Sequence, residues 1–365
     1  ADSSINENNN NPAHIGALSR AYLSEWSTFY RDKEALVHVR EVLDEYVRRQ
    51  ASQDGALDKL GWGGHGDLAY ALHPVLGAFE KQGWFDEKID HDGDTGTPRV
   101  TRHKAYVHFF STGLQWRARD RRGLTANQVL HVTTGLIRMH ALLKDMNPDA
   151  TVSDRTAMRW VREALGMKPA TNEKWMRRGA QIGFPWYVIS PEGLSTEPMW
   201  ATDYGEISSS LADLVELVND PAVRRRAIEC ARARTVFRQF HWDKDGYRGL
   251  RTEGVIGTRH NNYPGRLRYG KRPLFVAATL NEPVTLRIAQ LYLKHNRAFD
   301  EYEGRKTPLK RVMAVNAYRE IADRPPSDYR LPTRPGQGDF LLTDEQVNAV
   351  AVRHEDRTLY AVLNW

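Results

Sequence analysis

The chain has 365 residues, 41% of them apolar and 10% aromatic, enough to bury the core of one large domain, with room for a small second one. Its 52 lysines and arginines against 46 aspartates and glutamates leave a formal charge of +6, an excess that favours anionic partners. The apolar residues form no run long enough to span a bilayer, the basic residues are interspersed with acids rather than gathered in a nucleic-acid-binding tract, and the single Cys230 excludes an internal disulfide and a zinc-cysteine site.

Residues 1–12, opening "ADSSINENNNNP", read as a disordered polar leader of the kind left after removal of a signal peptide, so a secreted or periplasmic protein is expected. From 13 to 325 apolar residues recur at spacings of three and four. They predict helices over 13–30, 34–52, 65–82, 100–118, 126–145, 153–165, 206–219, 221–239, 274–301 and 308–322. Leu36, Val39, Leu43 and Tyr46 make one such stripe, and Val129, Val132, Leu136, Met139 and Leu143 another. Thr125 and Gln128 read as a capping-box pair, Asp220 as a cap ahead of Pro221, and Asn281 and Pro283 as a similar signal inside the 274–301 stretch.

The connections are long and rich in Gly, Trp and Pro, as functional loops are. Antiparallel, layered helices are therefore expected. "HWDKDGYRGLRTEG" reads as a hairpin turning at Asp245-Gly246. Residues 326–365 change character: a Pro- and Gly-rich linker leads into "QVNAVAVRHEDRTLYAVLNW", two strands around a His-Glu-Asp-Arg turn that either packs on the helices or begins a larger β domain.

"TRHNNYPGRLRYGKRP", Thr258 to Pro273, carries five cations and no acid on a stretch that Pro264, Gly265 and Gly270 keep from being helical. Arg259, Arg266, Arg268, Lys271 and Arg272 suit carboxylates or sulfates, which arginine grips through two parallel hydrogen bonds. His260 and Tyr263 can transfer protons, and Asn261 and Asn262 can donate to a carboxylate without a charge of their own. The plain alternative is a basic surface loop with Tyr263 packed beneath it and the asparagines in turns.

β-Elimination of a uronic-acid polymer needs these residue types. The C6 carboxylate must be neutralised, a base must remove the C5 proton, and an acid must protonate the departing glycosidic oxygen. Nearby cations lower a tyrosine's pKa from about 10 toward that task.

At this point the chain resembles the polysaccharide lyases built on an incomplete (α/α) toroid followed by antiparallel β-sheets, the group of alginate, chondroitin, hyaluronan and xanthan lyases. "RHNNYPG" is similar to the Asn/His/Tyr constellations of that group. "NEKWMRRGAQIGFP" is similar to an Asn-Trp-Trp…Ile-Gly-x-Pro pattern, matched at Asn172, Trp175, Ile182, Gly183 and Pro185, with stretched spacing and without the second tryptophan. The resemblance implies a mainly α fold, an (α/α) toroid over 13–325 with a C-terminal β element, acting as a lyase on an acidic polysaccharide or oligosaccharide. It implies His260 and Tyr263 as the proton-transfer pair and one of Asn172, Asn261 and Asn262 as the carboxylate neutraliser, a task the charge of Arg259 is expected to share.

Trp186, Trp200 and Tyr204 offer aromatic faces for sugar rings, although large aromatics as often fill a core. Asp203 and Glu206 form an acidic pair that an (α/α)-barrel glycoside hydrolase would use, since hydrolysis needs two carboxylates flanking the bond; a non-catalytic acidic-glycan-binding protein is the third reading. Asp90, Asp92 and Asp94 alternate as in calcium loops but lack the glycine and glutamate of that pattern, so turns are the better reading and no cofactor is expected. His103, with Arg102 and Tyr106 on one helix, is a reserve catalytic candidate, while His65 and His241 read as structural. Phosphate-loop, dinucleotide and Gly-x-Ser-x-Gly signatures are missing from the sequence.

Overall fold

The computed structural model describes residues 12–51, 64–94, 96–119, 125–171, 176, 179–180, 183, 185–195, 207–242, 248–252, 272–294 and 308–362. They are mainly helical, with a small antiparallel sheet at the C-terminal end. Two compact units divide them, the first drawn from 1–121, 134–157 and 306–316 and the second from 122–133, 158–305 and 317–365.

The first unit is built on α1 (Pro12–Leu23), α2 (Lys33–Ala51), α3 (Gly64–Leu72), the short α4 (Leu76–Lys81) and α5 (Arg102–Arg119). Ile15, Leu36, Val39, Leu43, Leu68, Leu72, Phe79, Phe109 and Phe110 are buried, so the predicted stripe of α2 faces a core. The helix expected over 65–82 is broken by a 3-10 turn at His73–Val75, where Pro74 lacks the N–H an α-helix needs. Tyr70 lies between two guanidinium groups, Arg20 at 3.5 Å and Arg138 at 4.0 Å from its ring centre, and Arg138 donates to Asp67. Close to the chain crossing, a Cβ on Gly66 would run into the backbone of Gly135, so glycine lets these two segments touch.

α6 (Ala126–Met146), α7 (Asp154–Ala164) and a later helix, Pro308–Ile321, contribute residues to both units. Thr125 caps α6 by accepting from the Gln128 N–H at 3.3 Å, as the sequence predicts. Within the second unit, α8 (Ile207–Val218), α9 (Pro221–Ala233), α10 (Pro273–Leu280) and α11 (Pro283–Lys294) bury Leu211, Leu214, Val223, Cys230, Leu274, Leu280, Val284 and Ile288. Asp220 accepts from the N–H groups of Ala222 and Val223 at 2.7 and 3.1 Å, again as predicted.

The single helix expected over 274–301 is two. Asn281 adopts a left-handed conformation (φ 49°) that closes α10, and the cap of α11 is Glu282, whose carboxylate accepts from Val284 and Thr285. The helix expected to reach 239 ends at Ala233, because Arg238–Trp242 pairs antiparallel with Arg248–Thr252 in the predicted hairpin. The helix expected over 13–30 ends at Leu23, in a chain of turns.

At the C-terminal end the two predicted strands, Ala349–His354 and Arg357–Val362, are joined by a third, Phe340–Asp344, which the sequence reading missed. The sheet packs rather than standing alone: Val347, Ala349 and Ala351 share a core with Leu194 and Val236, flanked by Ala233, Phe340 and Leu342. Among the described residues, no helix is long and apolar enough to cross a membrane.

Candidate functional site

Arg259, His260, Asn261, Asn262, Tyr263, Arg266 and Arg268 lie outside the described residues, as do Asn172, Trp200, Asp203, Tyr204 and Glu206. The described residues show what holds the two flanks of the cationic stretch. Upstream stands the 238–252 hairpin. Downstream, Arg272 sits in a left-handed conformation (φ 52°) as the N-cap of α10, where its guanidinium donates to Asp213 at 2.5 Å and to the Ser209 carbonyl at 3.3 Å and lies 4.4 Å from the ring centre of Phe275. Asp213 is buried in α8, so this is a charge pair inside the second unit and not a free surface cation. One of the five predicted anion-binding cations is thus spent on the fold.

Trp186 belongs to the same unit, where it walls an open, mostly apolar cleft of about 410 Å³ with Pro169, Ala170, Met176, Gly183 and Pro185. Gly183 and Pro185 are two of the residues that carry the resemblance to the lyase pattern. Trp186 itself is 9% exposed, and its carbonyl accepts from the Ala170 N–H at 2.9 Å, closing the two sides of the cleft on each other. Met176, at 58% exposed, stands on the rim.

The C-terminal sheet positions this wall. Gln346 clamps Tyr187 by accepting from its N–H at 3.0 Å and donating to its carbonyl at 2.7 Å, imitating a strand partner. Ser190 bonds Asp344 at 2.5 Å and accepts from the Leu194 N–H at 3.0 Å, and Asp344 also accepts from the Val347 N–H. Burial pushes the Asp344 carboxyl up to about 6; the bonds from Ser190 and Val347 pull it down, and the charge of Glu192 adds to the rise. Gly166 completes the join: its φ of 65° is in the left-handed region, and a Cβ there would strike the Ile189 carbonyl. Arg226 donates to the carbonyls of Leu165, Ser190 and Pro191, tying the same turn to α9.

The sequence reading missed Asp213, Ser190, Asp344 and Gln346. Only the alternation of "FLLTD" offered a signal, since a period of two from Phe340 and Leu342 puts Asp344 on the buried face.

His103 lies in the first unit, where a ring nitrogen stands 3.2 Å from the Met146 carbonyl and the ring meets Phe85 edge-on at 5.8 Å. Its neighbours in the sequence are committed as well. Arg102, 4% exposed, bonds both oxygens of Asp44, the Trp84 carbonyl and Glu87, and Tyr106 donates to Asp44 at 2.7 Å. His65 is buried against Phe109 with one ring nitrogen 2.6 Å from Gln50; burial, and then the charge of Arg117, lower its pKa to about 3, so it stays neutral.

Asp90, Asp92 and Asp94 each turn a carboxylate oxygen onto a main-chain N–H, of Gly93, Asp94 and Gly96 respectively, which is the turn chemistry the sequence favours. Among the described residues no group of three or more His, Cys, Asp or Glu is placed to hold a metal ion. His241 falls on the first strand of the 238–252 hairpin. No protein-family model, curated protein or solved structure matches the chain.

Proposed function

We propose that the chain is a secreted or periplasmic polysaccharide lyase that cleaves an acidic, uronate-containing polysaccharide by β-elimination on an (α/α) toroid closed by the C-terminal β element. In this reading Asn261 or Asn262 and Arg259 neutralise the sugar carboxylate, and Tyr263 and His260 move the C5 proton and protonate the leaving oxygen. Trp200 and Tyr204 pack on sugar faces with the buried Trp186 backing the cleft wall, Arg266 and Arg268 hold flanking carboxylates, and Asn172 competes for the neutralising role. The observation that supports the reading is that the Trp186 cleft, built on the stretch that resembles the lyase pattern, belongs to the same compact unit as both flanks of the cationic stretch.

The test is a panel of alginate, hyaluronan, chondroitin, ulvan and glucuronate-bearing gums, read by the ultraviolet absorbance of the unsaturated, enone-like product. A lyase raises that absorbance without consuming water, and Tyr263→Phe lowers the rate by about a hundredfold or more. New reducing ends without absorbance, abolished by Glu206→Gln and not by Tyr263→Phe, would assign the cleavage to the Asp203/Glu206 hydrolase instead. Salt-sensitive binding with neither product would leave a glycan-binding protein.

A further inference from the structure

The segment that replaces the expected end of α1 is an ordered structure with an unusual surface. Between Leu23 and Asp32 the chain rolls through successive turns, with main-chain bonds from Ser24 to Ala21, Ser27 to Ser24, Tyr30 to Ser27, Arg31 to Tyr22 and Asp32 to Phe29, all between 2.8 and 3.1 Å. Three large apolar side chains stand outward on it: Leu23 is 49% exposed, Trp26 36% and Phe29 44%. Beside them the Arg31 guanidinium lies 5.0 Å from the ring centre of Tyr30.

Trp26 is held in place. Its indole N–H donates to the Asn316 side-chain oxygen at 2.7 Å, the Asn316 amide donates to Ser24 at 3.1 Å, and the Ser24 hydroxyl donates to the Arg20 carbonyl at 2.8 Å. The ring's one polar atom is therefore satisfied within the protein, and what it offers outward is carbon, already fixed in position at no further entropic cost.

We propose that Trp26 and Phe29 form a glycan-docking platform on the first unit, taking the C–H face of a pyranose ring. The axial C–H bonds of a pyranose carry slight positive charge and meet the negative face of an aromatic ring. Size argues for a sugar over a protein. Three side chains exposed to this extent offer on the order of 250 Å², well short of the roughly 800 Å² that each partner of a stable protein interface covers. Charge argues the same way, because Glu25, Arg31, Asp32, Lys33 and Glu34 nearly cancel, and Asp32 is occupied in capping α2 through the N–H groups of Glu34 and Ala35. Nothing there would attract nucleic acid or an anionic membrane, so stacking and not charge selects the ligand. The platform does not depend on the lyase reading.

The experiment is calorimetric titration of the full chain with cellohexaose, which carries no uronate to eliminate. It should bind, with an affinity that changes by less than about twofold between about 0.05 and 0.5 M salt. Trp26→Ala combined with Phe29→Ala should weaken binding by at least about tenfold, Trp26→Tyr should retain it, and Asn316→Ala should fall between. Trp26 and Phe29 are exposed and Asn316 is half-buried, so unfolding temperature serves as the control for folding. Absence of cellohexaose binding, equal binding by the double variant, or a dimer that Trp26→Ala dissolves would overturn the proposal. Because cellohexaose cannot be a lyase substrate, its result stands whether or not the elimination reading does.

Discussion

The Arg102 and His65 sites of the first unit and the Asp344 site of the second treat buried ionisable groups in opposite ways. In the first, Arg102 is ringed by Asp44, Glu87 and a main-chain carbonyl, and His65 is held neutral with its pKa near 3. In the second, Asp344 is buried against a hydroxyl and a main-chain N–H, with the nearby charge being that of Glu192, and its carboxyl titrates near 6. Pairing a buried charge and neutralising a buried base both make a region that resists neutral pH. Burying an acid without a cation makes one that prefers to be protonated. The second arrangement sits on the turn that builds the Trp186 wall, so the cleft's support responds to pH between mild acid and neutrality.

This contrast breaks most visibly at His65. Its folded pKa lies below the ordinary 6.5, so the stability it contributes is complete above that pH and is lost as pH falls toward 3. The separation is worth on the order of 5 kcal/mol, and His65→Gln should flatten that part of an unfolding curve measured in urea across pH. Next in size, Arg102→Ala should cost roughly 3 kcal/mol in the same measurement, because it removes a buried guanidinium from its bonds to Asp44, Glu87 and the Trp84 carbonyl and leaves the Tyr106 side unfilled.

Asp344 carries the reverse sign. Its folded pKa of about 6 exceeds the ordinary 3.8, so its contribution is complete below pH 4 and disappears as pH rises through 6. The loss is on the order of 3 kcal/mol, and Asp344→Asn, which imitates the protonated acid, should abolish it while preserving the Ser190 contact. A stability difference between wild type and Asp344→Asn that stays flat from pH 4 to 7 would erase the contrast between the units. The smallest effect tests whether the second unit is otherwise conventional: Asp220→Ala should cost about 1 kcal/mol with no pH dependence near neutrality, as loss of a helix cap does.

Local physics made much of the fold legible. Proline at the start of α9, the Asp220 and Thr125 caps, the α2 stripe and the pairing of 238–242 with 248–252 are each decided by residues within a few positions of one another. The errors are also local in form but tertiary in cause. Pro74 and Asn281 stop helices that apolar spacing alone would continue, and the Phe340–Asp344 strand is hidden because its alternation is carried by five residues whose inward face includes an aspartate. Of the cleft wall, Trp186, Gly183 and Pro185 stood out in the sequence, and the residues that hold them in place did not. Gln346 lies 159 positions from Tyr187, Asp344 lies 154 from Ser190, and Arg272 lies 59 from Asp213.

By itself the sequence determined that this is a mainly helical, net basic chain with a β element at its C-terminal end, because helix periodicity, caps and charge are sums over near neighbours. The tertiary structure alone decided which cation is withdrawn into the fold, which acid is buried with a raised pKa, and that Trp26 faces outward with its N–H tied to Asn316. Those outcomes depend on which distant segment removes water from a side chain, and desolvation is a property of the packed neighbourhood that no stretch of sequence contains.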